Sequence, residues 1–211
     1  MSSITFVIIT LLSLLLFYFG TGKDKRVLVL IIFWQFLIGV FAMFGIFQTK
    51  PILFPLVIIG TILLTIFLIK KIATQKINTN ILLSIHILRI IVELILYQLF
   101  LQNKIPKLMT FNGWNYDILI GISALAILTY QLVSKRNISR QIFIIWNIAG
   151  IVFLMFIVSL AILSSPLPIQ QFAFEQPNIG ILEFPYCFLP TCIVPIVLIS
   201  HIFLIIKLKY E

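Results

Sequence analysis

Charge is what this sequence has least of. Of its 211 residues only 10% are Asp, Glu, Lys or Arg, while 62% are hydrophobic. A soluble domain is about a quarter charged, so an ordinary water-soluble globule is excluded. Long hydrophilic stretches are also missing, which leaves no room for a soluble domain beside the apolar segments. Basic residues exceed acidic ones, 15 to 6. No basic patch with interleaved aromatics occurs, so nucleic acid is excluded as a partner. There are two histidines and two cysteines. Zinc needs a third ligand beyond the histidines, and Glu93 lies two turns from His86, so no metal site is expected. No C-x-x-C-H attachment motif for covalent haem is present. Cys187 and Cys192 are five apart, too far for a disulfide on a straight helix, and are expected to pack unbridged. Internal repeats and low-complexity segments are absent as well.

What is present is apolar length. Mean hydropathy is +1.20. A spanning helix needs about 20 apolar residues, and seven runs meet that need, at residues 4–20, 27–47, 52–69, 81–101, 118–134, 142–164 and 186–206. The expected fold is therefore an all-α integral membrane protein, a seven-helix bundle in one domain with the lipid bilayer as its partner. The first run has no basic residues before it and no small-x-small cleavage site after it, so it is expected to be a retained span rather than a signal peptide.

Basic residues alternate along the connectors. Lys23, Lys25, Arg26, Lys70, Lys71, Lys76, Lys135, Arg136, Arg140, Lys207 and Lys209 fall on one side, and Lys50, Lys104 and Lys107 on the other. The positive-inside rule then places the N-terminus outside and the C-terminus inside. Asp117, Glu175 and Glu183 fall on the outer side.

The fourth run breaks its own pattern. SIHILRIIVELILYQ, residues 84–98, carries His86, Arg89, Glu93 and Tyr97. At 100° per residue all four share one helix face. A charge at mid-membrane costs about 2.5–3.5 kcal/mol on insertion scales, so such residues usually face the bundle interior and pair. Arg89 and Glu93, four apart, are placed to pair within the helix. One reading is a buried ion pair that fixes packing. The other is a ligand, proton or ion site. His201 in the seventh run lies at the depth of His86, and Asn147 and Gln35 are expected near that layer. Two histidines at one depth also admit bis-imidazole ligation of haem b. Otherwise no cofactor is expected.

Two connectors on the outer side add candidates. MTFNGWNYDI, residues 109–118, holds an Asn112-Gly113 turn signal, interfacial rings including Trp114, and Asn115 and Asp117. It reads as a tight interfacial turn with Asp117 capping the fifth span, or as a rim over a pocket reaching Glu93. The sixth connector carries Pro166, Pro168, Pro177 and Pro185 with Glu175 and Asn178, and long ordered loops are often functional. Pro190 and Pro195 are expected to kink the seventh span and free backbone carbonyls.

HILRIIVE at 86–93, MTFNGWNYDI at 109–118, EQPNIGILEFP at 175–185 and LPTCIVPIVLISH at 189–201 form a set. It resembles a group of uncharacterised small bacterial polytopic membrane proteins over roughly the second half of the chain. The resemblance implies a bacterial cytoplasmic (inner) membrane and no activity. Nothing matches the seven-span receptors or rhodopsins, and the seventh span lacks a midplane lysine. The expected function is transport or sensing of an ion or small-molecule ligand through His86, Arg89, Glu93, Tyr97 and His201. Asn112, Trp114, Asn115, Asp117, Glu175 and Asn178 are expected at the outer rim. A haem or redox protein and a ligand-free assembly subunit stand as alternatives. No catalytic residue is expected, and nothing in the sequence sets the oligomeric state.

Overall fold

A computed structural model describes residues 2–73 and 75–210, with side chains for all of these except residues 2 and 208–210; Lys209, counted above among the basic residues, has its side chain outside that set. Among the described residues there is no strand. Eight α-helices are present: α1 (Ser2–Gly20), α2 (Lys25–Met43), a short α3 (Ile46–Thr49), α4 (Phe54–Ile72), α5 (Thr79–Leu101), α6 (Asp117–Ser134), α7 (Arg140–Leu163) and α8 (Val194–Tyr210). Among the described residues seven segments are long and apolar enough to cross a membrane, the last of them running from Leu189 into α8 as far as Lys207.

Local chemistry sets the helix ends. Asp24 caps α2 by accepting from the Arg26 and Val27 amides. Asn78 accepts from the Ile81 amide at the start of α5, and Ser139 from Ile142 at the start of α7. These are ordinary N-cap choices. The second run was expected to continue to residue 47, but α2 stops at Met43. Gly45, at φ 69°, takes a left-handed conformation and turns the chain into α3; glycine adopts it without the Cβ penalty. Elsewhere the observed ends differ from the expected ones by up to three residues.

The centre of the bundle is α5. It packs against α1, α6 and α8, while α7 and α4 pack on α8. Leu82, Leu83, Ile85, Leu99, Ile199, Phe203 and Leu204 are almost fully buried there. Outward faces stay apolar: Phe33, Phe36, Ile59, Leu63, Ile145 and Val152 are all more than half exposed. Apolar surface on that scale is foreign to soluble monomers.

One end of the bundle is closed by polypeptide. Residues 102–116 fold into a tight plug, with Trp114 N–H donating to the Leu108 carbonyl and Asn115 N–H to Thr110. Ile105, Met109 and Thr110 are buried within it. The long connector before α8 straps across this plug: Ile179 and Gly180 amides donate to the Lys104 carbonyl, and Gln176 Nε2 to the carbonyls of Phe100 and Ile105. A Lys104–Glu183 ion pair at 2.5 Å fastens the strap. At the opposite end the Asn78 amide donates to the Gly20 carbonyl, and Gln75 Nε2 donates to Asp24.

A π-helical turn, Leu189–Ile193, leads into α8. Pro195 has no N–H to give the carbonyl of Thr191, four residues back. Gln35 of α2 supplies the donor instead: its Nε2 lies 2.8 Å from Thr191 O, and Thr191 Oγ1 returns a bond to Gln35 Oε1 at 2.9 Å. Gln35 was expected beside the histidine layer; the proline-freed carbonyl draws it to the start of α8. Cys187 and Cys192 are buried and unbridged. Burial pushes the Cys187 thiol up to about 12.

Candidate functional site

The polar face of α5 meets side chains from three other helices and the 102–116 plug. Three of its four residues, His86, Arg89 and Glu93, are buried to 4% exposure or less. Tyr97 is half-buried and stands apart, its ring 5.0 Å from Phe111 and 6.0 Å from Phe100. The helix face continues to Tyr97, but the polar neighbours stop one turn short of it.

Arg89 forms an ion pair with Asp117, the first residue of α6. The expected Arg89–Glu93 pair does not form. Nor does Asp117 cap its helix: α6 has no side-chain cap bond, and the Asp117 carboxylate points back into the bundle at the guanidinium. An inter-helix partner wins because α5 and α6 pack closely. Gly121 makes that approach possible; a Cβ there would sit 2.8 Å from an Ile90 side-chain carbon and 3.1 Å from the Ile90 nitrogen.

Glu93 is held by the plug. Both of its carboxylate oxygens accept from Asn115 Nδ2, at 2.8 and 2.7 Å, and the same amide lies 3.1 Å from the Met109 carbonyl. Asn115 Oδ1 in turn accepts from the Asp117 backbone N–H at 3.0 Å. Asn115 and Asp117, expected at the outer rim, are buried members of the site, 2% and 6% exposed. Among the described residues no cation forms an ion pair with Glu93.

On its other side Arg89 reaches α8. Its Nη1 lies 3.2 Å from His201 Nε2. Arginine only donates, so Nε2 is the acceptor and the ring proton sits on Nδ1. That proton is donated to Asn147 Oδ1 of α7 at 2.8 Å, and Asn147 Nδ2 donates to the Phe143 carbonyl at 2.8 Å. The two contacts on the ring, a donor at Nε2 and an acceptor at Nδ1, match the neutral Nδ1–H form of His201. One turn beyond Asn147, Gly150 leaves the space the imidazole fills; a Cβ there would collide with ring atoms Cε1 and Nε2.

His86 completes the cluster differently. Its ring lies against His201, centroids 3.9 Å apart and tilted by 30°, and edge-on to Trp146 at 5.4 Å and 88°. Neither ring nitrogen of His86 has a hydrogen-bond partner, and Arg89 Nε also lacks one. The two rings touch, with no planar slot between them, and both nitrogens of His201 are engaged. That geometry does not fit a haem b between the two imidazoles. Among the described residues no group of three or more His, Cys, Asp or Glu converges as metal ligands.

The remaining rim residues sit elsewhere. Asn112, Trp114 and Glu175 are exposed and line a surface cleft of about 540 Å³ with Lys107, Phe100 and Gln176. Asn178 is buried in the strap, its Nδ2 donating to the Ala161 carbonyl at 3.2 Å, and serves that loop's fold rather than the cleft.

A continuous polar chain results: Glu93, Asn115, Asp117, Arg89, His201, Asn147. It joins the plug to α5, α6, α8 and α7. Spacing on α5 exposed its polar face. Asn115 as the Glu93 partner, Gly121 and Gly150 were missed, and the two glycines left no trace in the sequence.

Residues 46–209 match the model of a protein family described as a domain of unknown function, DUF8737. No curated protein and no solved structure matches the chain.

Proposed function

The chain belongs to the DUF8737 family, which supplies no activity, and from its own residues we propose an integral membrane protein that handles a proton or small cation at Glu93. In this reading the seven apolar segments cross the bacterial cytoplasmic membrane with the N-terminus outside, as the alternation of basic connectors suggests. The plug and strap then lie on the outer side.

One observation carries the reading. The site holds one buried cation and two buried carboxylates, and Asp117 takes the cation. Glu93 is left with a single amide against both its oxygens. A buried carboxylate without a positive partner costs several kcal/mol, and a proton or a small cation meets that need. Arg89 is the fixed counter-charge of Asp117. The chain beyond it is not a proton wire, because a guanidinium does not release its protons. Occupancy of Glu93 is instead passed mechanically, through Asn115 to the plug and through the Asp117 backbone to α6. Sensing or gated ion binding fits this better than passage of protons to His201. A larger ligand is less well served: the polar chain is closed in by protein, and the cleft near it opens on the surface beyond the plug.

Infrared difference spectroscopy on protein in lipid tests the assignment. Spectra would be taken between acid and neutral pH, and between sodium and choline buffers. A carboxyl band that changes in the wild type and disappears in a folded Glu93→Gln variant is the expected result. Identical difference spectra for wild type and Glu93→Gln would overturn it.

A further inference from the structure

Away from the polar chain, the first two turns of α2 carry a feature with no role in it. Lys25, Arg26, Val29, Leu30 and Phe33 line a surface groove of about 500 Å³. Its two basic residues stand at one end and its apolar residues run away from them for roughly 12 Å, at 1.5 Å per residue over eight residues. Val29 and Phe33 are more than 60% exposed and Leu30 37%. Both basic side chains are exposed, and neither forms an ion pair with a carboxylate among the described residues.

The nearest carboxylate in sequence is already committed. Asp24 Oδ1 accepts from the Arg26 and Val27 amides, and Oδ2 accepts from Gln75 Nε2 at 2.9 Å. Lys25 and Arg26 also occupy the first helical turn, where the helix dipole is positive and cations are disfavoured. No acidic residue shares that turn. Two positive charges with no ion-pair partner among the described residues therefore sit at the head of an apolar furrow. That is the outline of a molecule with an anionic head and a hydrocarbon tail.

We propose that this groove binds an anionic phospholipid, its phosphate between Lys25 and Arg26 and an acyl chain along Val29, Leu30 and Phe33. The inference rests on the reading of the chain as bilayer-embedded, which places this end in the cytoplasmic leaflet, where anionic headgroups attract juxtamembrane basic residues. A headgroup alone would use the two charges. The furrow adds a seat for the chain, which makes the site selective in place as well as in charge.

Native mass spectrometry in mild detergent, titrating phosphatidylglycerol or phosphatidylcholine, tests the site. Phosphatidylglycerol is expected to bind more tightly than phosphatidylcholine. The Lys25→Gln/Arg26→Gln double variant is expected to weaken it about 30-fold, which is about 2 kcal/mol at 1.4 kcal/mol per tenfold and in line with two basic residues at a membrane surface. Lys135→Gln/Arg136→Gln, which removes the same charge elsewhere at this end, should leave binding within about twofold. Phe33→Ser, which keeps every charge, should weaken it several-fold. Equal losses in the two double variants would mean diffuse attraction to net charge and overturn the site, as would equal binding of both lipids or an unchanged Phe33→Ser. Whether the protein needs detergent to stay dispersed is read in the same preparation, so failure of the membrane reading shows separately from failure of the groove.

Discussion

Removing Asp117 should expose how the charge on α5 is held. In Asp117→Asn the guanidinium of Arg89, 4% exposed, faces a neutral amide. Breaking a buried pair by deleting one partner costs about 3–5 kcal/mol, because the remaining charge stays buried. In a chain of this length each kcal/mol moves the melting temperature by about 2–4 °C, so the expected fall is about 6–20 °C. Arg89→Met alone should be comparably damaging, since it strands the carboxylate of Asp117 and the bare Nε2 of His201. The double variant should be much less damaged than the sum of the two, with a coupling of roughly 3 kcal/mol for groups in direct contact. Glu93→Gln is the control. It keeps an oxygen for Asn115 Nδ2 and should change stability by about 1 kcal/mol. The assay is thermal unfolding in mild detergent, followed by tryptophan fluorescence and circular dichroism. Additive losses at 89 and 117, or a Glu93→Gln loss as large as that of Asp117→Asn, would refute the pairing and restore the contact that spacing along α5 suggests.

Two further outcomes follow from contacts outside the charged cluster. Gln35→Met should cost about 1–3 kcal/mol by leaving the Thr191 carbonyl without a donor, and most of that loss should vanish when Pro195→Ala returns an N–H to α8; a loss indifferent to residue 195 would mean that Gln35 does not serve the proline gap. Gln75, more than any other group, holds the Asp24 carboxyl below its ordinary value of 3.8, helped by the Arg26 and Val27 amides. Because the folded state favours the ionised form, this cap's contribution is full above the ordinary value and is lost as pH falls below it. Carbon-13 carboxyl titration is clean here, as the chain has only two aspartates. The Asp24 midpoint should lie below 3.8 and climb toward it in Gln75→Leu; a midpoint at or above 3.8 in the wild type would contradict the hydrogen-bond pattern.

The sequence made the helices easy to read because apolar length is a local property. Seven runs separated by more polar connectors needed no tertiary information, and the clearest shift of an end falls where one residue decides, as Gly45 does for α2. The polar face of α5 was equally local, since helical periodicity alone aligns His86, Arg89 and Glu93. Partner choice was not. Periodicity ranks Glu93 first for Arg89 because it is four residues away, but Asp117 arrives through close helix packing that Gly121 permits. Asn115 reads as a turn residue until the plug is seen to tuck beneath the strap. Gly150 carries no signal until an imidazole from α8 is found in its place. Each miss concerns a residue whose role is set by a distant segment.

The Arg89–Asp117 pair also bears on how the protein is made. Of the seven long apolar segments, Thr79–Leu101 and Asp117–Ser134 are among the least apolar, and they are consecutive. Arg89 lies well inside its segment, where a charge opposes partitioning into lipid by about 2.5–3.5 kcal/mol, and Asp117 heads the next one. Presented singly to an insertion machinery, either would be a hesitant client. Presented as a hairpin, with the 102–116 plug as its bend, the two charges cancel before either meets hydrocarbon. In the membrane reading proposed above, the pair that steadies the finished bundle would also set the order of its biogenesis: α5 would wait until α6 emerged, the two would cross as one unit, and His201 would arrive last to close the chain.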